Sequence, residues 1–236
     1  MDAPRVLDAV PLAIDPDEVL RFQGYKKGVD VPTPDVLALF EAALREGTAL
    51  MVPRVVARWL SVSRHTEHAM HVSDEVLTIP RIGERWGPVE QVAVAVCTIG
   101  EALERRVAEL WQARELPLAS MLDSVGSGAV ESLAEYVNDL LCQQGLAAGL
   151  KVTNRISPGY GDWDVAEQHA LFRLCSGAPA GVTLNDACFM TPGKSISLLA
   201  GAGAAARVDH YFSQCARCWM RDCAYRRAPA HRTVHR

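Results

Sequence analysis

The 236-residue sequence predicts an α+β domain with a mixed or antiparallel sheet and packed helices, and three observations carry that prediction. The segments EALERRVAELWQAR (101–114) and LASMLDSVGSGAVESLAEYVNDLLCQQ (118–144) have helical apolar periodicity. EQVAVAVCTIG (90–100) is almost continuously apolar and rich in valine, the pattern of a strand covered on both faces. Short strand-like runs then follow one another late in the chain with turn residues between them, which argues against a repeated βαβ fold.

Taken in order, the first thirty residues read as irregular, and FQGYKKGVDVPTPD (22–35) as rich in turns. A helix is expected after Asp35, with Val36, Leu37, Leu39, Phe40, Ala43 and Leu44 at helical spacing and Gly47 as its stop. VLTI (76–79) is strand-like. In the next helix Leu103, Val107, Leu110 and Trp111 should face the core, with Arg105, Arg106 and Glu109 in solvent. The long helix after Pro117 contains Gly126, Ser127 and Gly128, which weaken a helix and therefore mark the close approach of another backbone or a ligand. GLKVTNRISPGYGDWD (149–164) passes from a short strand into a turn, and Asp164 is placed to cap VAEQHALFRLC. AGVTL, ACFM and SISLLAGAG complete the body as short strands. Residues 1–212 are read as one domain, and 213–236 as a cysteine-rich, metal-binding C-terminal extension.

About half the residues are hydrophobic, enough for a sizeable core. A net charge of −4 lacks the basic excess that marks nucleic-acid binding. No stretch reads as a signal peptide or a membrane span, so no membrane partner and a reducing, cytoplasmic setting are expected. There, seven cysteines are better explained as buried thiols or metal ligands than as disulfides.

The most informative stretch runs from Arg155 to Ser197. Ser157-Pro158-Gly159 makes a tight turn in which Pro158 fixes φ and Gly159 admits positive φ, so that Arg155 and Tyr160 can converge across it. The R-x-x-P-G-Y pattern of Arg155, Pro158, Gly159 and Tyr160 is followed by ALFRLC, then GVTLND, then Met190, Pro192 and Ser195. Upstream lies GAVESLAEYVNDLL with Glu131 and Tyr136. In combination these motifs resemble the activation domain of cobalamin-dependent methionine synthase. The segments TIGEALERRVAELW and MLDSVGSGAVE resemble its small stand-alone relatives.

The resemblance implies a domain that docks on a corrinoid-binding protein and binds S-adenosylmethionine to support remethylation of cob(II)alamin after reduction. It places Arg155, the backbone at Ser157, Gly159, Tyr160 and Glu131 at the nucleoside site. Two departures stand against it. QQGLAAGLKVTN replaces the family's acidic loop before the arginine, and AGAGAAARVD replaces an aromatic segment. A site without fixed negative charge should hold a sulfonium or ammonium cation less well.

Near the end, CARCWMRDCAYRR places Cys215, Cys218 and Cys223 at C-x2-C-x4-C spacing, which offers three thiolates to one metal. A fourth ligand must come from elsewhere; Cys188 is the first choice, ahead of Cys175, His210 and His231. Thiolates suit zinc and iron–sulfur clusters alike. The resemblance favours a 4Fe-4S cluster, because reducing cob(II)alamin needs a low-potential electron. Arg217, Arg221, Arg226 and Arg227 would stabilise thiolates and attract an acidic partner.

Other constellations are weaker. His65, His68 and His71 read as a solvated connector, GAGAAAR lacks dinucleotide-binding spacing, and Lys194 in PGKS lacks the first glycine of a phosphate loop. Asp123 and Glu131 share a helix without other catalytic elements, and no catalytic residue is assigned. The expected function is an accessory protein of a corrinoid methyltransferase system that restores cob(I)alamin with the help of a low-potential electron donor. The alternatives are a docking or scaffold subunit with a zinc-stapled tail, and an S-adenosylmethionine-binding remethylation protein without a cluster.

Overall fold

The computed structural model describes residues 3–208, so the cysteine-rich extension lies outside the described residues. The elements are β1 (Arg5–Asp8), α1 (Pro16–Phe22), α2 (Pro34–Leu50), β2 (Arg54–His65), β3 (Ala69–Val72) and β4 (Glu75–Thr78). They continue with α3 (Ile82–Trp86), β5 (Gln91–Thr98), α4 (Ala102–Gln112), α5 (Leu116–Ala147) and β6 (Lys151–Val152). The last are α6 (Gln168–Leu174), β7 (Thr183–Leu184), β8 (Met190–Thr191) and β9 (Ser195–Gly203).

The main sheet has the order β4-β3-β2-β5-β9-β6, with β1 also paired to β2, and every described strand pair is antiparallel. The α+β prediction holds, and its mixed-sheet variant gives way to the antiparallel one. Strand alternation divides the interior into two cores. Ala93, Ala95 and Cys97 of β5 and Leu198, Ala200 and Ala202 of β9 face α1, α2, α4 and α5. Val92, Val94 and Val96, with Leu199, face α3, α6 and Trp163. Both faces of β5 are therefore covered, as its continuous apolar run requires. No described helix is long and apolar enough to cross a membrane.

Helix α5 is the long small-residue-rich helix of the sequence, and its glycines mark helix packing. A Cβ on Gly126 would lie 2.8 Å from Leu103 of α4, and one on Gly128 would lie 2.9 Å from Val19 of α1. Gly47 behaves the same way and is not a helix stop. It sits inside α2, where a Cβ would stand 3.0 Å from Val125 of α5, and the helix continues to Leu50. Close approach outweighs the local cost of a mid-helix glycine, about 1 kcal/mol. Trp111 departs from the expected core face and is 50% exposed.

The first thirty residues are more ordered than expected. β1 pairs with β2 from Arg5↔Ala57 to Asp8↔Arg54, and Asp15 caps α1 by accepting from the Asp17 amide. The sequence reading also passed over β2 and β3. The histidine run proves to be a hairpin: His65 ends β2, His71 lies in β3, and the Thr66 amide donates to the Ala69 carbonyl.

The glycines of SISLLAGAG have a packing role too. A Cβ on Gly201 would come within 2.7 Å of the buried Trp86 ring, and one on Gly203 within 2.8 Å of the Pro88 carbonyl. Gly201→Ala is expected to cost about 1–3 kcal/mol through overpacking, read as a lower Tm. Trp86→Leu should then cost less in the Gly201→Ala background than in the unaltered protein, because the two changes share one contact.

Candidate functional site

After β6 the chain runs alongside β9. The Thr153 amide donates to the Gly201 carbonyl, and Ile156 exchanges two backbone hydrogen bonds with Leu199 at 2.9 and 2.8 Å. Ile156 packs on the α3/α6 side of the sheet. Alternation turns its neighbour Arg155 the other way, toward α5. There the Arg155 Nη2 donates to Glu131 Oε2 at 2.7 Å and to Glu135 Oε1 at 2.8 Å, while the Arg155 amide donates to Asn138 Oδ1 at 3.1 Å. Glu131, Glu135 and Asn138 stand at i, i+4 and i+7, one flank of the helix.

Arg155 and Glu131 are largely buried, with side chains 15% and 17% exposed, whereas Glu135 is 56% exposed. Burial alone would lower the pKa of the Arg155 guanidinium, but the charges of Glu135 and Glu131 outweigh it and hold that pKa above its ordinary value. Two carboxylates against one guanidinium leave an excess of negative charge. The sequence reading places Glu131 at this site and finds no acidic residue in the apolar segment just before Arg155. The charge comes from α5, where Glu135 and Asn138 join Glu131 on Arg155.

The turn itself is built from three backbone hydrogen bonds: Tyr160 N–H to the Ser157 carbonyl, Gly159 N–H to the Trp163 carbonyl, and Trp163 N–H to the Tyr160 carbonyl. Gly159 has φ 86° and Gly161 φ 63°, so both glycines are required by conformation. Tyr160 stands at the tip, about half exposed. The structure thus joins Arg155 to Glu131 directly and sets Ser157, Gly159 and Tyr160 in the same turn. Two further atoms emerge. Ser157 Oγ and Trp163 Nε1 are buried and have no hydrogen-bond partner among the described residues. Orphaned polar atoms of this kind occur where water or a ligand completes a site.

The remaining sequence candidates fall elsewhere. Lys194 does not face a phosphate: its amide and that of Gly193 donate to the Glu104 carboxylate, and its Nζ binds Ser127 Oγ and Asp123 Oδ1, each at 2.8 Å. Asp123 and Glu131 therefore serve two separate ion pairs. Cys188 is not on a strand; it occupies the β7–β8 turn at φ 63°, where Asn185 Oδ1 accepts from the Ala187 and Phe189 amides. No group of three His, Cys, Asp or Glu among the described residues can hold a metal ion. Cys215, Cys218 and Cys223, with His210 and His231, lie outside the described residues.

No family model matches the chain, and no curated protein matches it in sequence. Among solved structures the chain is similar to the crystal structure of the MetH reactivation domain bound to AdoHcy, with a TM-score of 0.60 and 13% identity. The match covers 90% of this chain and 81% of that one. The chain has a reactivation-domain-like fold. The structural likeness agrees with the family resemblance carried by the Arg155–Tyr160 turn, at the level of the fold.

Two outcomes follow from the site and its surroundings. Arg155→Ala strands two carboxylates, one of them mostly buried, and should destabilise the protein by about 1–3 kcal/mol in urea unfolding, with Arg155→Lys costing less. His65, whose Nε2 is buried without a described partner, has its pKa lowered from 6.5 by burial, against an opposing pull from Glu67. Its neutral form is favoured in the folded state, so the stabilisation is complete above pH 6.5 and is lost as the pH falls through the lowered folded value. A series of melts from pH 7.5 to about pH 5 should show a decline that His65→Gln flattens.

Proposed function

We propose that this chain is an accessory protein that docks on a corrinoid-binding protein and supports reactivation of its cobalt from cob(II)alamin to cob(I)alamin in a methyltransferase system. The observation that carries the reading is the pairing of a reactivation-domain-like fold with the Arg155 turn, anchored to Glu131 and Glu135. The ligand of that turn is S-adenosylmethionine. The carboxylate excess attracts its sulfonium and ammonium charges, and Gly159 keeps the turn open to close approach. Tyr160, half exposed at the tip, provides an apolar face for the nucleoside.

In this reading one electron from a low-potential donor reduces cob(II)alamin on the partner. Reduced to cob(I)alamin, the partner's cobalt would supply the electron pair that accepts the methyl group, and the donor would be left as a neutral thioether. The chain's residues bind and orient the methyl donor while the partner supplies the cobalt. Cys215, Cys218, Cys223 and Cys188 are assigned to an iron–sulfur cluster that would supply the electron. Of these four, Cys188 alone lies among the described residues.

Calorimetry with S-adenosylmethionine and S-adenosylhomocysteine tests the site. The cationic ligand should bind more tightly than the neutral thioether, and Glu135→Gln should narrow the difference severalfold, by about the strength of one exposed charge pair. No heat at millimolar ligand removes this ligand. Anaerobic purification tests the tail: a brown protein with about four irons per chain is expected, and a colourless one with stoichiometric zinc overturns the cluster.

A further inference from the structure

On the flank of α5 away from Arg155 an open groove of about 490 Å³ runs between the helix and the β1–β2 pair. Leu140, Gln144 and Ala148 face it from the helix, above the buried Val137 and Leu141, and Leu7, Ala57 and Trp59 face it from β1 and β2. The strand residues alternate with those turned to the other core, so one face of the β1–β2 pair forms the floor. At one side the indole N–H of Trp59 donates to Gln144 Oε1 at 2.9 Å, linking floor to helix. That bond uses the Trp59 donor, so the floor offers apolar surface.

The described residues that line the groove carry charge of one sign, and none of them is Asp or Glu. Arg58 turns its guanidinium to the Leu174 carbonyl, on the other face of the sheet. Arg5, exposed on β1 beside Leu7, has no carboxylate partner among the described residues. An apolar groove with a cation at its rim selects a ligand with an apolar body and one anionic end. The volume lies within the range of about 300–1,000 Å³ usual for small-molecule sites.

We propose that the groove between α5 and the β1–β2 pair is a binding site for a small amphipathic monocarboxylate, its aliphatic or aromatic body against Trp59 and Leu140 and its carboxylate on Arg5. The site is separate from the Arg155 turn and stands or falls independently of the function proposed above.

The test uses the full chain with decanoate, decanol and 10-bromodecanoate. Decanoate is expected to bind saturably at one site in calorimetry, and 10-bromodecanoate to quench a component of tryptophan emission that Trp59→Phe removes. Arg5→Gln should weaken decanoate about tenfold, the loss of one charge-assisted contact, and leave decanol unchanged. Ala57→Trp, which fills the floor, should abolish binding of both, and Ala148→Trp at the exposed rim repeats that test without touching the core. The proposal is overturned if decanoate shows no saturable binding up to millimolar concentration, or if the quenching survives Trp59→Phe. It also fails if Arg5→Gln weakens decanol as much as decanoate, or if both filling variants bind as before.

Discussion

The packing of α5 against everything around it is the constraint on which the rest of the structure depends. Its 32 residues cross the sheet, and α1, α2 and α4 all lie against it. They approach closely because the contact points carry no side chain: Gly126 under Leu103, Gly128 under Val19, and Gly47 of α2 over Val125. A helix with two glycines in its middle is a poor helix in isolation. Here the burial of Leu122, Val125, Ala129, Leu133, Val137 and Leu141 holds it in place, each large side chain contributing about 1.5–3 kcal/mol.

The same helix also fixes the second half of the chain by polar contacts. Asp123 and Ser127 hold Lys194 just before β9, and Glu131, Glu135 and Asn138 hold Arg155 just after β6. Between those two points lie the turn, α6 and the β7–β8 hairpin. The turn is thus gripped from two sides, by ion pairs to the helix and by the Ile156–Leu199 bridge to the sheet. Three backbone hydrogen bonds and two glycines at positive φ complete its shape, which gives a preorganised loop on a rigid support.

Elements with one clear period were legible in the sequence. β5 announced itself by a run buried on both faces, α4 and α5 by helical spacing, and the Asp164 cap by position. β2 was hidden because Arg54, Arg58, Ser61, Ser63 and Arg64 interrupt its apolar alternation. Its first half is buried between β5 and β1, and its second half becomes an exposed hairpin arm. Gly47 misled because a helix-stop glycine and a close-packing glycine look identical until the partner helix is known. At the site, the turn was legible and its electrostatics only in part. Glu131 was legible there through the family resemblance, whereas its neighbour one turn on, Glu135, reaches Arg155 through space with no motif to mark it. Their i, i+4 spacing was the available signal.

That charge arrangement is not one that stability alone would choose. A single carboxylate would neutralise Arg155, and a second adds repulsion between like charges as well as the cost of taking ions out of water. Glu131 and Arg155 bear most of that cost, being the more buried members, while Glu135 keeps contact with solvent. The buried Ser157 hydroxyl and Trp163 indole, without a partner among the described residues, add a further cost in the same turn. Local departures from best stability concentrate where a protein binds something. Here one guanidinium fixes two carboxylates in place, on a turn that the sheet also holds.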